Sequence, residues 1–244
     1  MQWYEIIIDR MDKERVYSHK ELCELVKAVK PDMADSSYHW IISRLVREGK
    51  IIRWGYDVYS VSQGESLREY EPFYSDEAKK LISSIAEKYP HVVFTVFETV
   101  LMNEFLNHLI AQNTIFVQVE KESSIYIFRF LQDEGYNNVL YKPSGEDMAL
   151  YWSGGSIIVT DMISEAPLRT AAPHAITLEK MLVDMYADKL ISASYSSAEY
   201  PDVIEQAENH YFLDKRRMLR YARRRNRYKE IYNYLEGRIE NVGT

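Results

Sequence analysis

The 244 residues contain a single cysteine, Cys23. One cysteine excludes a disulfide framework and a cysteine-based zinc site, which agrees with a reducing compartment. Long apolar runs are also missing. Stretches such as Ile6-Ile7-Ile8 fall far short of the roughly 18 to 20 residues that a membrane helix needs. The opening MQWYEIIIDRMDKER places an acid in its apolar segment and offers no small-residue cleavage site, so no signal peptide is predicted. The expectation is a cytoplasmic protein with no membrane partner. Internal repeats and low-complexity segments are absent. His19, His39, His91, His108, His174 and His210 never fall three to five positions apart, which removes the local helical metal pair. No metal and no cofactor are expected.

What is present is enough apolar material, 46% of residues, for one substantial core, or for one of ordinary size plus a small module. The formal net charge of −7 conceals a segregation along the chain. Residues 1–62 hold ten basic and ten acidic side chains, whereas residues 63–213 hold ten basic against 23 acidic. Residues 214–229, DKRRMLRYARRRNRYK, hold nine basic and one acidic. A mainly acidic body therefore carries one strongly cationic segment near its end.

The first sixty residues have their own pattern. Trp3, Ile7, Ile8 and Met11 mark a helix over about Gln2–Met11. Ser18-His-Lys-Glu21 is a capping box ahead of Leu22, Cys23, Leu25, Val26 and Val29, a second helix ending near Lys30-Pro31. Asp35 or Ser36 is expected to cap a third helix, which Gly49 ends and whose apolar stripe is Ile41, Ile42, Leu45 and Val46. Lys50–Arg53 and Asp57–Val61, separated by Trp54-Gly55-Tyr56, read as a hairpin. Three short helices followed by a hairpin is the order of a winged helix-turn-helix, a reader of double-stranded DNA.

The expected fold class is α+β: an N-terminal winged helix-turn-helix domain (1–62), a polar linker (63–74), and a larger mixed α/β domain (75–244) ending in a helical C-terminal part. In the larger part, helices are predicted over Asp76–Lys88, around Val100–Ile110 and up to Gln132. Strands are predicted at His91–Phe97, Thr114–Val119, Val139–Tyr141, Ala149–Trp152 and Ser156–Thr160, the alternation suggesting βαβ units. TLEKMLVDMYADKL should be a central buried helix, Pro201 opens another, and Leu213–Leu235 carries the basic one.

Two surfaces are candidates for nucleic-acid contact. On the third helix, Ser37, His39, Ser43, Arg44 and Arg47 are placed to meet base edges or phosphates, with Tyr38 or Trp40 packing on sugars and Tyr38 sharing in sequence readout. Arg53, Trp54 and Tyr56 form the wing anchor. Zero net charge in this module implies modest affinity per copy, hence two copies, a dimer on an inverted repeat. The alternative is a module that contacts protein. The second surface is the basic helix, with Lys215, Arg216, Arg217, Arg220, Arg223, Arg224, Arg225, Arg227 and Lys229, which one acidic face cannot satisfy and which is a docking surface for nucleic acid or an acidic protein. Its alternative is neutralisation within the chain.

Enzyme motifs fail on spacing. Gly155-Ser156 and Asp161 suggest a nucleotidyltransferase start, but Ile163 stands where the second acid is needed. A nuclease core would want Glu-x-Lys, and Glu120-Lys121-Glu122 places the lysine one position early. A degenerate metal-dependent nuclease using Glu98, Glu120 and Asp161 stays as the alternative. Glu179, Asp184 and Asp188 read as buried or paired structural acids beside Lys180 and Lys189. No catalytic residue is assigned.

The opening module together with FETVLMNEFLNHLI, IFVQVEKE, VLYKPS, IIVTDMISEAPL, ITLEKMLVDMYAD and YFLDKRRMLRYARRRNRYKEI resembles the AbiEi-type antitoxins of type IV toxin–antitoxin systems. LEKMLVD (178–184) and the Tyr-Ala-Arg-Arg-Arg run (221–225) are the strongest blocks. The resemblance implies a non-enzymatic antitoxin and transcriptional autoregulator. Its winged helix would bind repeats in its own promoter, and its C-terminal domain would counter a nucleotidyltransferase toxin without requiring a stable complex. A regulator with no toxin partner is the remaining alternative.

Overall fold

The computed structural model describes residues 3, 5–13, 15–55, 57–61, 68–170 and 172–236. The chain is a mixed α+β protein with two small sheets.

Helices α1 (Glu5–Arg10), α2 (His19–Val29) and α3 (Asp35–Arg47) are followed by strands β1 (Ile51–Gly55) and β2 (Val58–Val61), which pair antiparallel. The capping box is present: the Glu21 amide donates to Ser18 Oγ at 3.2 Å and the Ser18 amide to Glu21 Oε2 at 2.8 Å. At α3 the cap is Ala34, which offers no side-chain acceptor; Asp35 and Ser36 lie inside the helix. Gly49 ends α3 with φ +65°, and the Lys50 amide reaches back to the Leu45 carbonyl at 2.9 Å, the bond pattern that a left-handed residue permits. Tyr17 and Tyr59 exchange backbone hydrogen bonds of 2.7 and 2.8 Å, so a third backbone segment runs beside the hairpin. Ile7, Leu22, Val26, Tyr38, Ile41, Leu45, Ile51 and Tyr59 share one small core.

The larger body begins before the expected boundary. Residues 62–67 lie outside the described chain, but Arg68 makes a parallel bridge to Tyr211, and Tyr70 and Tyr74 are buried in the main core. The second half of the polar stretch 63–74 is therefore built into this body. Helix α4 (Asp76–Lys88) starts on Ser75, whose Oγ accepts from Ala78 at 3.1 Å. The main sheet has the order β3 (Phe94–Glu98), β4 (Thr114–Val119), β6 (Ser156–Asp161), β5 (Val139–Tyr141). Pairs β4–β6 and β6–β5 are parallel, as the crossovers from β4 to β5 through α5 (Ser124–Asp133) and from β5 to β6 through the helix Gly145–Tyr151 require, but β3 runs antiparallel to β4. Every residue of β3 and β4 is buried, so this sheet is covered on both faces.

Three segments differ from expectation. Ala149–Trp152 is not a strand; it closes α6 (Gly145–Tyr151), nucleated by a second capping box between Ser144 and Asp147. Residues 99–104 form a 3₁₀ turn rather than the start of a helix to Ile110, because Asn103 folds the chain back: its amide side chain bonds both the Ile110 N–H (2.7 Å) and its carbonyl (3.0 Å). The C-terminal part is helical throughout, with α7 (Leu178–Ala187), α8 (Lys189–Ser192), α9 (Tyr200–His210), α10 (Lys215–Arg224) and α11 (Tyr228–Glu236). The basic segment is thus two helices, broken where Asn226 takes φ +55°. As expected, α7 is central, with every residue from Leu178 to Met185 buried. Among the described residues no helix is long and apolar enough to cross a membrane.

Candidate nucleic-acid interface and a histidine–cysteine cluster

Helix α3 has one inward and two outward aspects. Tyr38, Ile41, Ile42 and Leu45 face the small core. Tyr38 is 4% exposed and its hydroxyl donates to the Pro31 carbonyl at 3.2 Å, so it fastens the α2–α3 loop and is unable to touch a ligand; its expected role in base readout is corrected. His39, Ser43 and Val46 look into a cleft of about 410 Å³ whose far wall is Glu104–Asn107, Leu109 and the α9 residues Asp202, Glu205, Gln206 and Asn209. His39 and Ser43 therefore face the body, with Asp202 and Glu205 across the gap, rather than open solvent. The remaining aspect carries the half-buried Ser37 and Arg44 and the exposed Trp40. Trp40 is 54% exposed, and the Arg44 guanidinium stands 5.4 Å from its ring centroid while Nε bonds Glu48 at 2.7 Å. One turn on, Arg47 follows Trp40 and Arg44 at helical spacing, but its side chain lies outside the described residues, as do the Trp54 side chain and all of Tyr56.

Arg53 does not point from a wing tip. It pairs with Tyr59 across the hairpin, on a face turned toward the 3₁₀ segment of the body, and only 8% of it is exposed. Its guanidinium sits 5.6 Å from the Tyr59 ring centroid. The expected phosphate contact at this position is corrected to a buried cation between the two parts of the chain.

The basic segment divides in the same way. Inward-facing Tyr221 donates to Asp184 Oδ1 at 2.8 Å, and Arg225 pairs with Asp184 at 3.5 Å and with Asp188 at 3.1 Å. Lys180 completes this buried knot through Gln118 and Asp184. Burial penalises both charges. It pulls Lys180 below the usual lysine range, whereas at Asp184 the Lys180 and Arg225 cations overcome burial and hold the carboxyl below its ordinary value. The structural reading of Asp184 and Asp188 therefore holds. Arg217 donates to the Leu168 carbonyl, Arg224 to Ser164 at 2.8 Å, Lys215 pairs with Glu208 at 2.7 Å and Arg227 with Glu230 at 3.2 Å. Arg216, Arg220 and Arg223 are exposed at i, i+4 and i+7, one outward stripe, and make no ion pair among the described residues. Lys229 is exposed beyond them.

The nuclease carboxylates do not converge. Glu98 lies opposite Ile115 at one end of β4, whereas Asp161 lies opposite Val119 and Glu120 follows it at the other end. Four residues of strand, roughly 13 Å, separate the Glu98 position from that of Asp161, and Glu120 lies one residue further. Each is also engaged locally: Glu98 accepts from Ser75 and Asn113 at 2.6 Å, and Asp161 from Ser124 at 2.5 Å and Lys142 at 2.7 Å. One ion cannot be held by all three.

A different group does converge. His19 and Cys23, one turn apart on α2, meet His39 of α3, and one ligand atom from each lies within 4.8 Å of the others. It is the one such group of three among the described residues. The imidazoles are stacked at 4.7 Å, with His39 Nδ1 3.2 Å from His19 Nε2, and Cys23 Sγ is 3.6 Å from His19 Nδ1. Burial, together with the neighbouring His39, lowers the His19 pKa and keeps a ring lone pair available. Histidine spacing along the sequence missed this group because its pairs are a His–Cys step on one helix and a contact between helices. The signal at hand was His19-x-x-x-Cys23.

The fold and this surface define an α+β protein with a small helical front module on a larger, mainly acidic body. Residues 37–241 match the model described as a family of unknown function (DUF6577), and the chain belongs to that family. No curated protein matches the sequence. The structure titled "Crystal structure of RV2827C protein from Mycobacterium tuberculosis" is similar over 96% of this chain and 81% of that one, at 13% identity and a TM-score of 0.24.

Proposed function

We propose that this protein is a cytoplasmic, non-enzymatic DNA-binding antitoxin that represses its own promoter. In this reading residues 1–62 act as a winged helix-turn-helix, with α3 entering the major groove on its Ser37/Trp40/Arg44/Arg47 aspect and the hairpin alongside. The observation that carries it is the open state of that aspect: the body closes over the His39/Ser43/Val46 side and leaves Trp40 and Arg44 facing outward. A cation beside an exposed indole suits a sugar–phosphate edge, and Ser37 and Arg47 are of types that read bases or phosphates. The Arg216/Arg220/Arg223 stripe supplies a second, sequence-independent attraction. The antitoxin part and its nucleotidyltransferase partner rest on the sequence resemblance.

Mobility-shift titration of DNA from upstream of the gene tests the reading. Binding at low salt, lost on Arg44→Ala or Trp40→Ala with the fold intact, is the expected result; no shift at low salt overturns it. Co-expression with an adjacent nucleotidyltransferase gene, scored by growth, separates an antitoxin from a regulator with no toxin partner.

A further inference from the structure

We propose that His19, Cys23 and His39 form a binding site for a zinc-class divalent cation, with water in the remaining position. The donor set is that of a borderline-soft metal: two imidazoles and one thiolate, the ligand types that zinc takes in preference to oxygen-only sets. The spacing suits it too. Two nitrogens on a tetrahedral zinc stand about 3.3 Å apart, and a nitrogen and a sulfur about 3.5 Å. Here the imidazole nitrogens are 3.2 Å apart and Cys23 Sγ is 3.6 Å from the His19 ring. Those two contacts use opposite nitrogens of His19, so a common ion calls for a turn of its ring, which moves ligand atoms by roughly 1 Å from the 4.8 Å limit of the cluster toward bonding separations.

The surroundings fit a partly open site. The cluster lines a surface hollow with Tyr59, Asp57 and Arg53. Asp57 accepts the His19 backbone N–H at 2.5 Å, and its carboxylate partly offsets the Arg53 and Lys20 cations that also line the hollow, the thiolate supplying the further negative charge once the ion is bound. On binding, the Cys23 thiol proton passes to solvent as the sulfur–metal bond forms. The ion would tie the first turn of α2 to α3. None of this depends on nucleic-acid binding.

The test uses the full chain, stripped with chelator under reducing conditions and titrated with Zn²⁺ against a competing chromophoric chelator. One ion per chain and a thermal transition raised by zinc are expected. Both should vanish in Cys23→Ser and in His39→Ala and persist in His91→Ala, which changes an exposed histidine elsewhere. Unaltered stoichiometry in Cys23→Ser and His39→Ala overturns the site, as does failure of the parent chain to bind. To keep the test independent of how the variants fold, Co²⁺ is also added to the parent chain: a thiolate-to-cobalt charge-transfer band with four-coordinate d–d intensity supports the assignment, and its absence refutes it.

Discussion

Replacing Glu104 by Gln should make the protein more stable, and increasingly so as pH rises. Glu104 is 8% exposed, in the turn against which β1 packs, and its carboxyl accepts the Tyr211 hydroxyl. Burial pushes its pKa up to about 8, against smaller opposing effects of the Tyr211 bond and the Arg68 and Arg53 cations. A folded-state value above the unfolded one means that the protonated form is compatible with the fold. The contribution is fully present below the unfolded value near 4.5 and is lost as pH climbs through about 8. At about 1.4 kcal/mol per unit, the wild type loses on the order of 3 kcal/mol by neutral pH and up to about 5 above pH 8. Glutamine keeps the carbonyl acceptor for Tyr211 and has no proton to lose. Urea unfolding of both proteins from about pH 5 to about pH 9 measures the difference. A difference that stays flat across that window would refute the buried, protonated carboxyl.

Three further outcomes follow from the geometry. Arg225→Ala leaves Asp184 and Asp188 without their guanidinium and should cost about 3 to 5 kcal/mol in urea unfolding. Arg216→Gln, Arg220→Gln and Arg223→Gln should leave stability within about 0.5 kcal/mol. On DNA, each should flatten the log–log salt slope by about one wherever it meets a phosphate, and unchanged slopes in all three would remove α10 from the interface. Gly49→Ala places a side chain at φ +65°, where the nearest neighbour, His210 Nε2, leaves room at 3.6 Å, so the cost is conformational, about 1 kcal/mol by thermal unfolding.

What the sequence revealed was local. Ser18…Glu21, the run Thr114–Val119 and the apolar length of α7 were legible because each is decided within one turn or one strand. Ala149–Trp152 was misread although Ser144…Asp147, a capping box, announced a helix just upstream. Tyr38 and Arg53 carry polar tips that resemble contact residues; only packing reveals the Pro31 carbonyl that takes one and the body that covers the other. The direction of β3 was not legible either, and with it went the position of Glu98, because an antiparallel neighbour sends that carboxylate to the far end of β4. The His19/Cys23/His39 group depends on how α2 crosses α3, a tertiary fact.

The bridge between Arg68 and Tyr211 joins positions far apart along the chain, with Phe212 donating back to the Arg68 carbonyl at 2.7 Å. The strap that leaves the hairpin is stitched into the joint between α9 and α10. A chain cut short before Tyr211 would lose that bridge along with its last helices, leaving the packing of β1 on the 3₁₀ segment to hold the front module.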